Sequence, residues 1–214
     1  MALPKLLIHV SALSVLFPIL VSIRRYNGYD RIGQRLVSFL YLSALFDLAG
    51  LITASYKVNN LPLFHLFTLI EVLFFGWVYA QAFEQIWLKK ITNGFTVIVA
   101  SLIVYNALAL EGVWQFNSIT KTAESVLLIV LSLLLFRQLL LQNEVMFLDR
   151  HPLFWLNSGV LLYFAGNLFV FMLQHTIADS AQKGYVYGIV HSGINILANL
   201  LFGIALLCRP RLPT

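Results

Sequence analysis

Apolar residues fall in seven runs, and glycine, proline, asparagine and charged residues collect in the short stretches between them. A helix rises about 1.5 Å per residue, so about 20 apolar residues cover a hydrocarbon core about 30 Å thick. The runs predict helices over Leu6–Ile23, Leu36–Ser55, Leu61–Phe83, Ile91–Leu110, Ile119–Leu141, Leu153–His175 and Tyr185–Cys208. Helix-breaking residues mark the joins at Asn27-Gly28, Asn59-Asn60 before Pro62, Glu111-Gly112, His151-Pro152 and Gly184. The fold class is all-α: a polytopic, seven-helix transmembrane bundle forming a single domain over residues 1–214.

Composition agrees with the pattern. A hydrophobic share of 60%, a charged share of 11% and a mean hydropathy of +0.85 leave too little polar surface for a soluble globule. Of the 14 lysines and arginines, Lys5, Lys57, Lys121 and Lys183 fall on one side of the predicted bundle and all the others on the opposite side. Cytoplasmic loops keep such an excess, so the amino terminus is expected outside and the carboxyl terminus inside, in the cell membrane. Trp87 and Trp155 fall near the predicted inner boundary, where amphipathic rings favour the headgroup layer. Positive charge follows the first run at Arg24 and Arg25 rather than preceding it, which reads as a retained span and not a cleaved signal. The lone Cys208 excludes an internal disulfide. The net charge of +5 is accounted for by topology and attraction to anionic lipids, so nucleic acid is not an expected partner. No join is long enough for a soluble catalytic or signalling domain, so any signalling output would need a separate partner protein.

Faint internal matches suggest a 3+1+3 arrangement. Leu13-Ser14 pairs with Leu131-Ser132, Ala49-Gly50 with Ala165-Gly166, and Phe75-Gly76 with Phe202-Gly203, in the same order. The fourth helix would then link two parallel three-helix units. Chance recurrence of common membrane residues is the competing explanation. In outline the plan resembles the PQ-loop transporters, but their Pro-Gln signature is replaced by Pro18-Ile19 and Arg137-Gln138.

A carboxylate or imidazole is costly in hydrocarbon, so each one kept there needs a partner, a wet cavity or a task. Sorted by depth, His9, Asp47, His65, Glu71, Asn106, Glu124, Asn167, His175, His191 and Asn195 converge on the outer half, as the wall of a pocket open to the outside would. Ser43, Asp47, Gly50 and Ala54 form one strip of the second helix, with a cross-helix hydrogen bond as the alternative role for Asp47. His65, Thr68 and Glu71 recur at intervals of three on the third helix. There Glu71 must be protonated, paired with a histidine or reached by water. His191, Asn195 and Asn199 recur at intervals of four on the seventh helix, where histidine could shuttle protons or bind a metal. Glu124, close to Lys121, reads equally as a solvated boundary group. Tyr41, Tyr105, Tyr163 and Tyr187 are candidates to add hydroxyls to the cavity.

Three functional classes can be compared on these residues. Retinal proteins need a lysine on the last helix, and this one has none, so retinal is excluded. The helix count, outside amino terminus and buried histidines and acids are similar to the superfamily of alkaline ceramidases and adiponectin receptors. That resemblance implies a zinc-dependent membrane hydrolase acting on lipid-like substrates, with His65, His175 and His191 as the available triad. The chain departs from that superfamily in placing Asn195 four residues after His191 instead of a second histidine, and in not showing the Ser and His expected together on the second helix. The segments Asn59-Asn60-Leu61-Pro62-Leu63-Phe64-His65, Thr68 to Glu71 and His191 to Asn199 resemble a group of uncharacterised bacterial seven-helix membrane proteins, a resemblance that brings no activity. The favoured expectation is a receptor- or transporter-like protein with an outward-facing pocket for a small polar or amphipathic ligand. Glu71, Asp47 and His191 form its ionisable core, His65, Asn167 and Asn195 orient the ligand, and no metal or other cofactor is favoured.

Overall fold

The computed structural model of the chain describes the backbone of residues 2–23, 25–110, 112–115, 117–141, 148–176 and 180–208, with the side chains of these residues outside 2–5, 171–176 and 180–187. Among the described residues every regular element is helical, and seven helices are long and apolar enough to cross a membrane. They are α1 in two pieces (Ala2–Ser14 and Leu16–Ile23), α2 (Arg31–Ser55), α3 (Leu61–Ala82), α4 (Ile86–Tyr105, continued by a π turn over Asn106–Leu110), α5 (Ser118–Leu141), α6 (Pro152–Thr176) and α7 (Ser180–Leu207). This is the build of a multi-pass membrane protein. The break in α1 at Val15 follows from Pro18, which has no N–H for the Ser14 carbonyl and whose ring crowds it.

Helix starts differ most from the sequence expectation where charge interrupts apolarity. The Asp30 carboxylate accepts a hydrogen bond from the Gly33 amide at 2.8 Å and caps α2, so that helix begins at Arg31 rather than Leu36. Helix α4 begins at Ile86 rather than Ile91 and carries Lys89 and Lys90 on its first turns. Long cations at a helix end keep their heads in water while their stems lie along the helix, and a hydropathy cut misses them.

Helix α7 packs against α1 and α6, α6 packs against α5, and α5 in turn touches α3 and α4. Helix α2 lies at the edge, touching α1 and packing on α3 through Phe39 against Phe74 at 4.3 Å and Phe46 against Phe67 at 5.0 Å between ring centres. Close approach depends on glycine. A Cβ at Gly166 of α6 would meet the Ile194 side chain of α7 at 2.6 Å, and one at Gly159 would meet Phe202 at 2.8 Å. Gly203 of α7 makes room for Phe17 of α1 in the same way, and Gly76 of α3 for Thr96 of α4. The repeat landmarks divide: Gly76 and its counterpart Gly203 both make room for a neighbour, whereas nothing lies within 4 Å of a Cβ at Gly50 and its counterpart Gly166 is filled by Ile194.

Two polar seams support this packing. Where α3, α5 and α6 meet, the Asn157 side-chain oxygen accepts from Tyr79 Oη at 2.8 Å and from Ser132 Oγ at 2.7 Å, while its Nδ2 donates to the Ser132 carbonyl at 2.9 Å. All three residues are buried. Between α1 and α7, Asn195 Nδ2 donates to Ser11 Oγ at 2.9 Å and Asn199 Nδ2 to Ser14 Oγ at 2.8 Å. At the Arg-rich end of the bundle Arg25 donates to the Leu207 carbonyl at 3.1 Å, satisfying an acceptor at the end of α7, and Gln138 donates to the Ala82 carbonyl at 3.1 Å.

Interhelical hydrogen bonds in membranes average about 0.6 kcal/mol and reach about 1.7 kcal/mol. Asn157→Ala removes three at once and strands Tyr79. In thermal unfolding of the purified protein it is therefore expected to cost roughly 1.5 kcal/mol, against about 0.6 kcal/mol for Asn199→Ala. A second expectation concerns His151 in the join before α6. Burial pushes this imidazole below its ordinary value of 6.5, with Asp30 pulling the other way. The unfolded chain then takes up the proton first, so stability falls as pH drops through about 6.5. His151→Gln should lose that part of the acid sensitivity in melts recorded across this range.

Candidate functional site

The site lies at the end of the bundle opposite the Arg-rich end, between the first half of α3 and the start of α5. His65, Thr68 and Glu71 are all buried on α3. The π turn at the end of α4 and Gly112 turn the chain over them. The Gly112 amide donates back to the Asn106 carbonyl at 3.2 Å with φ of +75°, a conformation that favours glycine. The returning segment is stitched to α3. His65 Nε2–H donates to the Gln115 carbonyl at 3.0 Å, and Asn117 Nδ2 donates to Thr68 Oγ1 at 3.0 Å. Asn117 also accepts from the Lys121 amide at 3.0 Å as α5 begins.

This register delivers Lys121 to the carboxylates. Its ammonium donates to Glu71 Oε2 at 2.8 Å and to Glu124 Oε2 at 3.0 Å. The side chains of Glu71 and Glu124 are 4% and 0% exposed and that of Lys121 is 15% exposed, so the lysine is the most exposed of the three. Glu71 is thus paired with a lysine, which was not among the partners expected for it. Of the two readings open for Glu124, the solvated boundary group does not fit: the side chain is fully buried in the cluster. With all three groups ionised the cluster carries one net negative charge, and Glu124 Oε1 and His65 Nδ1 are buried with no hydrogen-bond partner. Both atoms are acceptors. The cluster is short of donors and of positive charge.

The remaining predicted residues divide. Asp47 is half-buried on α2 and makes no hydrogen bond or ion pair among the described residues, yet lies near enough to Glu71 to feel its charge. His191 of α7 bonds through Nδ1 to Asn167 Oδ1 of α6 at 2.7 Å and is within electrostatic reach of Lys121. Asn167 Nδ2 is committed to the Tyr163 carbonyl at 2.9 Å, which fixes the amide oxygen as acceptor, the His191 hydrogen on Nδ1 and Nε2 as its basic nitrogen. Tyr163 packs edge-on to the imidazole with ring centres 6.0 Å apart. Asn195 is drawn instead into the α1–α7 seam, and His9, Tyr41 and Tyr105 are exposed on the outside of the bundle. The side chains of His175 and Tyr187 lie outside the described residues. Among the described residues no three His, Cys, Asp or Glu side chains come together as a metal would require.

Lys121, Asn117 and Gln115 were not anticipated as site residues. Lys121 and Glu124, one helical turn apart at the start of an apolar helix, were the available signal. Removing the ammonium leaves two buried carboxylates facing each other. Lys121→Met should therefore cost about 3 kcal/mol or more in thermal unfolding, and the added changes Glu71→Gln and Glu124→Gln should recover most of it. Full stability of Lys121→Met alone would show that the ion cluster does not hold α3 to α5. No family model matches the chain, and neither a curated protein nor a solved structure is significantly similar to it.

Proposed function

We propose that this chain is a membrane protein of the transporter or receptor kind, with its amino terminus outside and its carboxyl terminus in the cytoplasm of a bacterial cell. Its ligand is small, polar or amphipathic, and carries a cationic nitrogen. The observation that supports the reading is the imbalance at the Glu71–Lys121–Glu124 cluster: two buried carboxylates share one ammonium, and Glu124 Oε1 is left without a donor.

A buried net charge is costly, and a proton or a ligand ammonium neutralises it. Lys121 occupies the place such a ligand would take. It stands in the first turn of α5 and is the most exposed of the three, so a competing cation would take over Glu71 and Glu124 as the lysine swings into water. The exchange would break the ionic link between α3 and α5. In a transporter that release allows the alternative, inward-open arrangement, in which the α7 segment around Asn199 becomes wet. In a receptor it would be read by a separate partner protein. Asp47 of α2 lies within electrostatic reach of Glu71, and the His191–Asn167 pair within reach of Lys121, so both would feel the exchange.

Small primary amines, tested against the matching alcohols, should raise the melting temperature of the purified protein, and Glu71→Gln should abolish that response. In liposomes the same amines should drive flux or a coupled proton movement, again lost in Glu71→Gln. Binding without flux assigns a receptor, and equal responses to amines and alcohols overturn the proposal. Stoichiometric zinc lost on His191→Ala would favour the membrane hydrolase instead.

A further inference from the structure

The Arg-rich end has a site of its own. A cleft of about 530 Å³ opens there between α2 and α3, lined by Arg31, Gln34, Arg35 and Ser38 on one wall and Trp77 and Gln81 on the other. The Arg35 guanidinium stands 5.4 Å from the Trp77 ring centre. Neither Arg31 nor Arg35 is ion-paired among the described residues, and no carboxylate lines the cleft. Two guanidiniums one turn apart, with amide and hydroxyl donors around them, present the planar forked geometry that suits a phosphate.

The surface beside the cleft determines what kind of phosphate. Along α2 the exposed stripe runs Arg31, Arg35, Ser38, Tyr41, Leu45, Leu48, in steps of three and four, and so passes from cations through a hydroxyl to hydrocarbon. On α3 the exposed Leu73 lies one turn beyond Trp77, continuing the same change of character. Beyond the cleft α2 packs on α3 through Phe39 against Phe74, with ring centres 4.3 Å apart, and Phe46 against Phe67 at 5.0 Å, so the stripe runs on from the polar mouth as an exposed path along the outer surface of α2. A free phosphate would use only its polar mouth. A lipid with an anionic head would use all of it.

We propose that the α2–α3 cleft is a binding site for an anionic phospholipid, with the headgroup phosphate between Arg31 and Arg35 and an acyl chain along Tyr41, Leu45 and Leu48. The lipid would bridge α2 and α3 at the Arg-rich end of the bundle. The site is independent of the ion cluster at the other end and does not rest on the ligand proposed there.

Full-length protein purified in detergent is titrated with phosphatidylglycerol, phosphatidylcholine and inorganic phosphate, and bound lipid is read by native mass spectrometry alongside the melting temperature. Phosphatidylglycerol should bind in preference to phosphatidylcholine. The double change Arg31→Gln and Arg35→Gln should weaken it roughly 30-fold, the contribution expected of two arginines at the headgroup level. Lys89→Gln with Lys90→Gln, the same charge removed at the same end but outside the cleft, should leave binding unchanged. Ser38→Trp, which keeps both arginines and blocks the path from head to tail, should also reduce binding and serves as the test if the arginine variant does not fold. Equal loss in the lysine variant, no preference between the two lipids, or displacement of phosphatidylglycerol by millimolar inorganic phosphate would each overturn the proposal.

Discussion

An ammonium held between two carboxylates in the apolar part of the bundle is the constraint from which the rest of the site follows. None of the three could stay buried alone, because the cost of stripping water from an ion far exceeds what one helix–helix contact returns. Glu71 therefore needs α5 in register with α3, and the register is set by the segment over Gly112, Gln115 and Asn117 that ties the loop to His65 and Thr68. The π turn at the end of α4 belongs to the same requirement, since it widens the helix just where the chain must turn back. Local backbone irregularity, loop stitching and charge placement form one arrangement.

The bundle is held unevenly. Around α7 the helices approach closely over Gly159, Gly166 and Gly203 and are joined by asparagine–serine bonds, and α3, α5 and α6 share the buried Asn157 network. Helix α2 is held differently, with Phe39 and Phe46 packed against Phe67, Phe74 and Phe75 of α3 and no side-chain hydrogen bond to another helix among the described residues. Helix–helix association in lipid rests on close packing and hydrogen bonds rather than on escape from water, so α2 depends on packing alone. The Arg31–Arg35 pair sits at the start of this helix and Asp47 past its middle.

Helix α3 connects the levels. One end carries His65 and Glu71, its middle meets α4 at Gly76, and its other end carries Tyr79 in the buried network and Trp77 in the cleft beside α2. Movement of α3 against α5 would be felt at both faces of the protein. The asymmetry in polar attachment also bears on the internal matches in the sequence: Ser14 accepts from α7, whereas Ser132 bonds to α6, so the matched dipeptides serve different neighbours.

The number of helices, their approximate limits and the buried status of Glu71 and His65 are legible along the chain, because the length of an apolar run and the cost of burying charge are properties of the chain alone. The sequence also identified the end at which polar groups gather, since depth along a helix is counted in residues. Rotation about each helix axis and the choice of neighbour lay beyond it. Only the tertiary structure could turn His9 and Tyr105 outwards, assign Asn195 to Ser11 rather than to a pocket, and bring Lys121 from the edge of a span to the two glutamates. Those outcomes depend on contacts between residues as far apart in sequence as Ser11 and Asn195, and no local pattern encodes which face of one helix will meet another.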